Sequence, residues 1–348
     1  MIWRVACALA LVLLVGGLGA GAGAAPPDRL ERFRQLAASR LGLALLESET
    51  PLDAYAEIYA LLDDEIVESL AAGSVFASIP FLQERLDGFA GAWGGAVLRV
   101  QRVGPLVVGT FQLNDRGGGN TVRVYGQMAG EPGLLAVIHR EGRPTLYPVA
   151  PGAGAPQFLV TWEGVPAAWG TRPLRLEIVR QQGEGVTITW SSADALGEDL
   201  QARSWSVRGT EVRVRYPLRY PGWVPGCEGQ TEQEDVFRIA APTGTLVRER
   251  RVEHQGWHRA FRAEVARLLA AVEARDAAAI ALAVPDPALR RRLPPGLAVE
   301  PACDARETVG GDAVVSVAAI DGQGQPWTLT FRRAGPRWRL TAATPVLQ

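Results

Sequence analysis

The order of apolar and polar positions changes its period several times along the chain. Residues 28 to 92 carry apolar side chains three and four apart, the spacing of one helix face. Helices are predicted over "DRLERFRQLAASRLGLALLES", "TPLDAYAEIYALLDDEIVESLAAG" and "IPFLQERLDGFAGAW". In the second, Leu52, Tyr55, Ile58, Tyr59, Leu62, Ile66 and Leu70 form one stripe. Thr50 is placed to cap its start, with Pro51 and Asp53 in the first turn and Gly73 beyond the end.

After Gly94 and Gly95 the period falls to two. "AVLRVQRV", "LVVGTFQL", "TVRVYGQM" and "LLAVIHR" alternate or run apolar between turn residues, and "TLYPV" closes this series. "APGAGAP", residues 150 to 156, reads as a linker. Strand patterns continue from residue 157 to about residue 253, as in "QFLVTW", "EVRVRYPLRY" and "LVRERRVEH". Helix returns at "GWHRAFRAEVARLLAAVEARDAAAIALAVPDPALRRRL", followed by the strands "DAVVSVAAI", "WTLTFRR" and "RWRLTAA". The predicted class is α+β. Its expected parts are a helix-then-sheet domain over 26–150, a β-rich middle over 151–253 and a second helix-then-sheet domain over 254–348.

An internal repeat is expected from this order. Placing Asp53 over Asp276 brings Ala54, Ala56, Ala60, Asp63, Leu70 and Gly73 onto identical residues, and "AVIHREGRPTLYPV" resembles "LTFRRAGPRWRLTAA". Helices leading into an antiparallel sheet that ends "WTLTFRRAGPRWRL" resemble the nuclear-transport-factor-2-like superfamily, the cone fold of SnoaL-type cyclases and ketosteroid isomerases. The resemblance covers 255–348 best and 28–150 less well. It implies two cones of helix on curved sheet, each enclosing a pocket that serves isomerase or hydratase chemistry in some members and only binding or assembly in others.

The first residues, "MIWRVACALALVLLVGGLGAGAGAAPPDR", hold one cation, Arg4, then an apolar run too short to span a bilayer comfortably, then small residues in an A-x-A pattern. A secretory signal peptide over 1–25 is expected, cleaved after Ala22 or Ala24, with an uncleaved anchor as the alternative. Cys7 lies inside the apolar run, so no lipid-modified cysteine stands at the cleavage point. No later segment is apolar for long enough to cross a membrane. The expected location is extracytoplasmic.

Net charge is −1, which argues against a nucleic-acid partner. Loss of the leader leaves Cys227 and Cys303, and in an oxidising compartment two thiols most simply pair. That bond closes a loop of 76 residues and is worth about 4 kcal/mol by the chain-entropy model. All 36 basic residues are arginine. Without lysine, a phosphate-binding G-x-x-x-x-G-K-[ST] loop, a pyridoxal Schiff base and an S-x-x-K nucleophile are excluded. G-x-S-x-G, H-E-x-x-H and C-x-x-C are also absent from the sequence. No cofactor is expected.

Candidate chemistry is therefore sparse. Tyr55 and Tyr59 on the helix stripe, with His139 on a strand, are the acid-base groups a cone pocket would offer. The repeat sets His139 over Arg332, on the face opposite the apolar one, and the tyrosines read more simply as core residues with satisfied hydroxyls. His254 and His258 stand four apart, but Gly256 between them marks a strand-to-helix junction that spoils a shared metal-binding face. "YPGWVPGCEGQTEQED" holds Glu228, Glu232, Glu234 and Asp235 without the spacing of a calcium loop. Tyr216, Tyr220 and Trp223 are candidates for stacking on sugar rings, or for joining two domains. Arg213, Arg215, Arg248 and Arg250 are a candidate strip for an anionic polymer, or partners in cross-strand ion pairs. The resulting expectation is a secreted, non-catalytic protein that binds an unidentified small ligand or envelope component. An isomerase or hydratase and a wall-polymer binder are the alternatives.

Overall fold

The computed structural model describes residues 28–39, 55–114, 118–167, 169–240, 243–309 and 312–346. The expected leader, Leu52 and the capping residues Thr50, Pro51 and Asp53 lie outside them. Helices α1 (Arg29–Ala38), α2 (Ala56–Ala72) and α3 (Ile79–Trp93) follow the apolar stripes. A single 3-10 turn, Ser74–Ala77, joins α2 to α3. Ser78 caps α3 by accepting from the Phe81 amide, and Gly94 ends it at φ +74°, a conformation that a side chain resists.

Four strands follow in a meander: β1 (Val97–Val103), β2 (Leu106–Gln112), β3 (Thr121–Met128) and β4 (Glu131–His139). A second sheet runs β5 (Arg143–Pro148), β6 (Gln157–Glu163), β7 (Arg172–Gln182) and β8 (Gly185–Ser191). The short helix α4 (Ser192–Leu196) then leads to β9 (Gln201–Ala202), which pairs back onto β7. The third sheet is β10 (Ser204–Arg208), β11 (Glu211–Pro217), β12 (Glu232–Ala240) and β13 (Thr245–His254).

These three meanders stack face to face. Phe33, Leu62 and Phe89 of the helices cover Leu98 and Phe111 on one side of the first sheet. Val108, Val122 and Val124 on its other side meet Phe158, Val160 and Trp162 of the second. Leu159, Leu176 and Ile178 on the far side of the second then meet Val212, Val214 and Phe237 of the third. Being covered on both faces explains why β2 and β6 read as apolar runs instead of alternating: their burial is continuous for six residues each.

Helices α5 (Gly256–Glu273), α6 (Ala277–Ala283) and α7 (Pro287–Arg292) begin the last module. Its sheet comprises β14 (Ala298–Val299), β15 (Ala305–Val309), β16 (Asp312–Ile320), β17 (Pro326–Ala334) and β18 (Arg337–Pro345). Phe261 and Val265 of α5 pack on Val317, Leu329, Phe331 and Leu340. Helices on antiparallel sheets make the chain α+β, as expected.

Two expectations need correction. "TLYPV" does not close the first meander: Leu146 pairs with Val160, so β5 opens the second sheet. The repeat also fails at both of its arms. β17 and β18 form a hairpin that sets Arg333 opposite Trp338, whereas β4 and β5 belong to different sheets. α2 is one helix of 17 residues, while its counterpart is broken into α6 and α7 around Pro285 and Pro287, where the missing N–H forbids continuation.

Candidate functional site

The stretch between β11 and β12 is a braced loop. Cys227 is bonded to Cys303, with Cα atoms 5.3 Å apart, so the third sheet is tied to the last module. Gln230, itself buried, accepts from the Val224 amide at 2.8 Å and donates to the Cys227 carbonyl at 3.0 Å. Thr231 is fully buried and joins the loop to α5: its hydroxyl donates to the Gln255 carbonyl at 2.9 Å and accepts from the Arg259 amide at 3.1 Å. A loop held by a disulfide and side-chain bonds presents its outward residues with little conformational freedom.

Trp223 is one of those outward residues. It lines an open cleft of about 360 Å³ together with Trp169, Tyr216, Arg219, Glu198 and Asp199. Trp169, 41 % exposed, sits on the loop between β6 and β7, and its carbonyl accepts from Arg203 Nη1 at 3.0 Å. The guanidinium of Arg219 lies 5.8 Å from the Trp223 ring centre, a cation–π contact on the cleft wall. Tyr216 offers its ring and not its hydroxyl, which donates to Asp235 at 2.9 Å. Burial and that bond to a carboxylate push its pKa up to about 12. Asp235 is itself fully buried; burial opposes its ionisation, but bonds from Arg251 at 2.8 and 3.0 Å hold its pKa below the usual value.

Tyr220 points away from the cleft, into the junction with the last module. Its hydroxyl is 2.5 Å from Nδ1 of His258 and accepts from the Thr231 amide at 3.1 Å. Burial raises its pKa. His258 Nε2 lies 2.9 Å from Asp304, which also receives Arg262 Nη2 at 2.7 Å. His254 turns to Glu234 at 3.1 Å, so the two histidines serve different carboxylates. The acidic residues of the loop are likewise dispersed: Glu232 binds Arg203 and Arg215, Glu234 faces His254, and Asp235 faces Arg251. Among the described residues no three His, Cys, Asp or Glu side chains gather as a metal centre would need.

No family model matches the chain. No curated protein sequence matches it either. Among solved structures, the chain is similar to the endo-arabinase from Bacteroides thetaiotaomicron VPI-5482 at 10% identity and a TM-score of 0.24, over 73% of this chain and 80% of that one. A likeness that small carries no argument about fold or activity.

Tyr55 and Tyr59 lie in the core beneath the first sheet, 3 % and 4 % exposed. The Tyr59 hydroxyl donates to the Gly119 carbonyl, and its ring stacks on Phe111. Next to them, Asp63 receives Arg123 Nε at 2.6 Å and the Tyr125 hydroxyl at 2.7 Å. Burial and the Asp63 charge raise the pKa of Tyr125. His139 Nδ1 is 2.9 Å from the Asn120 carbonyl oxygen. The arginine strip is mostly paired: Arg213 with Glu211, Arg215 with Glu232, and Arg248 with Asp235 at 3.6 Å. Trp169, Glu198, Asp199 and Arg219 are the cleft residues that sequence reading missed. Only Trp169 carried a signal, as a bulky aromatic in the turn-rich stretch "EGVPAAWGT".

Proposed function

We propose that the chain is an extracytoplasmic, non-catalytic binding protein whose ligand is a carbohydrate chain seated in the Trp169–Trp223 cleft. One observation carries this reading: two indole rings from separate loops, a tyrosine ring and two exposed carboxylates line a single open cleft. Flat rings cover the apolar faces of sugar rings, and the carboxylates of Glu198 and Asp199 accept from sugar hydroxyls. The paired state of the arginine strip points to an uncharged glycan more than to an anionic polymer. The disulfide fits an oxidising compartment, and among the described residues no helix is long and apolar enough to cross a membrane.

We keep the cone resemblance for the two α+β modules as a proposal, supported in the last one by α5 lying across a four-strand path. The isomerase alternative draws less support, because Tyr59, Asp63, Arg123 and Tyr125 bond to one another or to backbone. The test is affinity electrophoresis of the full chain in native gels cast with neutral polysaccharides. Retardation that disappears in Trp169→Ala and Trp223→Ala supports the reading, and unchanged mobility in every polysaccharide refutes it.

A further inference from the structure

Where the second sheet meets the first, two arginines converge on one buried carboxylate. Glu177 of β7 is fully buried and faces the first sheet together with Val179, two residues on. Its Oε1 accepts from Arg175 Nε at 2.8 Å and from Arg140 Nε at 3.0 Å. Arg140 directly follows β4, and its Nη1 is fixed in turn by donating to the His139 carbonyl at 2.7 Å. The outer nitrogens are left over: Arg140 Nη2 and both Nη atoms of Arg175 have no hydrogen-bond partner among the described residues, and none of them is closed to solvent.

Both arginines line one open hollow of about 420 Å³, whose other walls include Glu141, Glu198, Asp199, Pro173 and Leu174. That volume falls in the range of small-molecule sites, roughly 300–1,000 Å³. Because buried Glu177 holds both Nε atoms, the two guanidinium ends are set in place before any ligand arrives, and such N–H groups match a carboxylate. Glu198 Oε2 stands 3.7 Å from Arg175 Nη1, past hydrogen-bond reach, so a seat for an anion and a seat for a cation lie side by side. Glu198 and Asp199 are also wall residues of the Trp169–Trp223 cleft.

We propose that this hollow binds a free α-amino acid, with its carboxylate on the open N–H groups of Arg140 and Arg175 and its ammonium on Glu198 and Asp199. The charge balance selects a zwitterion. The walls carry two arginines and the carboxylates of Glu141, Glu198 and Asp199, and Glu177 already lies against the arginines. A simple anion would meet those carboxylates, and a simple cation would meet the guanidinium groups. An α-amino acid carries both charges on one carbon, which suits seats as close as Arg175 and Glu198. Pro173 and Leu174 offer apolar surface to its side chain. The site is additional to the glycan cleft and stands without it.

The test is calorimetric titration of the full chain with L-leucine and, separately, with 4-methylpentanoate, which lacks the ammonium, and 3-methylbutylamine, which lacks the carboxylate. Saturable binding of leucine is expected, with each analogue about tenfold weaker or more. Arg175→Met is expected to weaken leucine to a similar degree. Because that variant also strips Glu177 of one partner, Glu198→Gln with Asp199→Asn serves as an independent check on exposed residues. The double variant is expected to weaken leucine about tenfold while leaving 4-methylpentanoate no weaker, a split that a purely structural role would not produce. Trp169→Ala is expected to leave leucine binding unchanged, which separates this hollow from the glycan cleft. Absence of saturable leucine binding, either analogue binding as tightly as leucine, leucine binding that survives the double variant, or its loss in Trp169→Ala would each overturn the proposal.

Discussion

Asp304 lies 2.9 Å from the imidazole of His258, and it immediately follows Cys303 in the chain. The bond from Cys303 to Cys227 therefore fixes more than a loop: it places a carboxylate against the first turn of α5 and holds the Trp223 loop to the same point. Two modules that meet through a few polar side chains gain a covalent hold where their apolar contact is thin.

Removing that hold tests its weight. Cys227→Ser with Cys303→Ser is expected to lower unfolding free energy by about 4 kcal/mol on the loop-entropy model, read as a shift in urea midpoint. A reduced wild type whose midpoint matches the oxidised one would contradict this.

The Asp63–Arg123 pair is nearly buried, with side chains 14% and 9% exposed. Asp63→Ala leaves the Arg123 guanidinium without its partner carboxylate, and also strips the Tyr125 hydroxyl of its acceptor. The expected loss is about 3–5 kcal/mol, the range for breaking one side of a buried pair. Chemical denaturation of the variant against wild type reads it, and a loss below about 1 kcal/mol would show that the site relaxes without cost.

Acid should act through two carboxylates. Burial works against ionisation of Glu65, but Arg85 at 2.5 Å and Arg29 at 2.8 Å more than offset it, so its pKa lies below 4.5. Asp235 likewise lies below 3.8 because Arg251 outweighs its burial. A lowered folded-state pKa means that the unfolded chain binds protons first. The stabilisation is complete above those ordinary values and is lost as pH falls through the lower folded ones. Urea midpoints measured from about pH 6 down to about pH 3 should therefore drop, and Glu65→Gln with Asp235→Asn should flatten the slope. An equal slope in the double variant would assign the acid loss elsewhere.

Trp169 contributes surface to the cleft and little to the core. Trp169→Ala is expected to change stability by less than about 0.5 kcal/mol while abolishing glycan retardation. Phe158→Ala, fully buried between the first and second sheets, is expected to cost about 3–5 kcal/mol. Thermal melts of the two side by side distinguish a binding aromatic from a packing one.

Much of the element order was legible from local pattern. The stripe through Ile58, Leu62 and Ile66 and the change of period at Gly94 and Gly95 each act within a turn or two, so their spacing is sufficient evidence. The arginines flanked by Val212 and Val214 were legible for the same reason, since alternation along one strand tells inward from outward. The apparent repeat misled because alanine-rich helix and R-x-G turn patterns report local form and carry no record of which strand pairs with which.

By itself the sequence determined the helix and strand segments, the absence of lysine chemistry and the two cysteines available to each other. These follow from residue type and short-range geometry. Only the tertiary structure decided that β5 joins the second sheet, that Trp169 meets Trp223 across a cleft, and that Arg140 and Arg175 converge on buried Glu177. Each of those depends on which distant surfaces come together to exclude water, a property of the packed whole that no window of sequence contains.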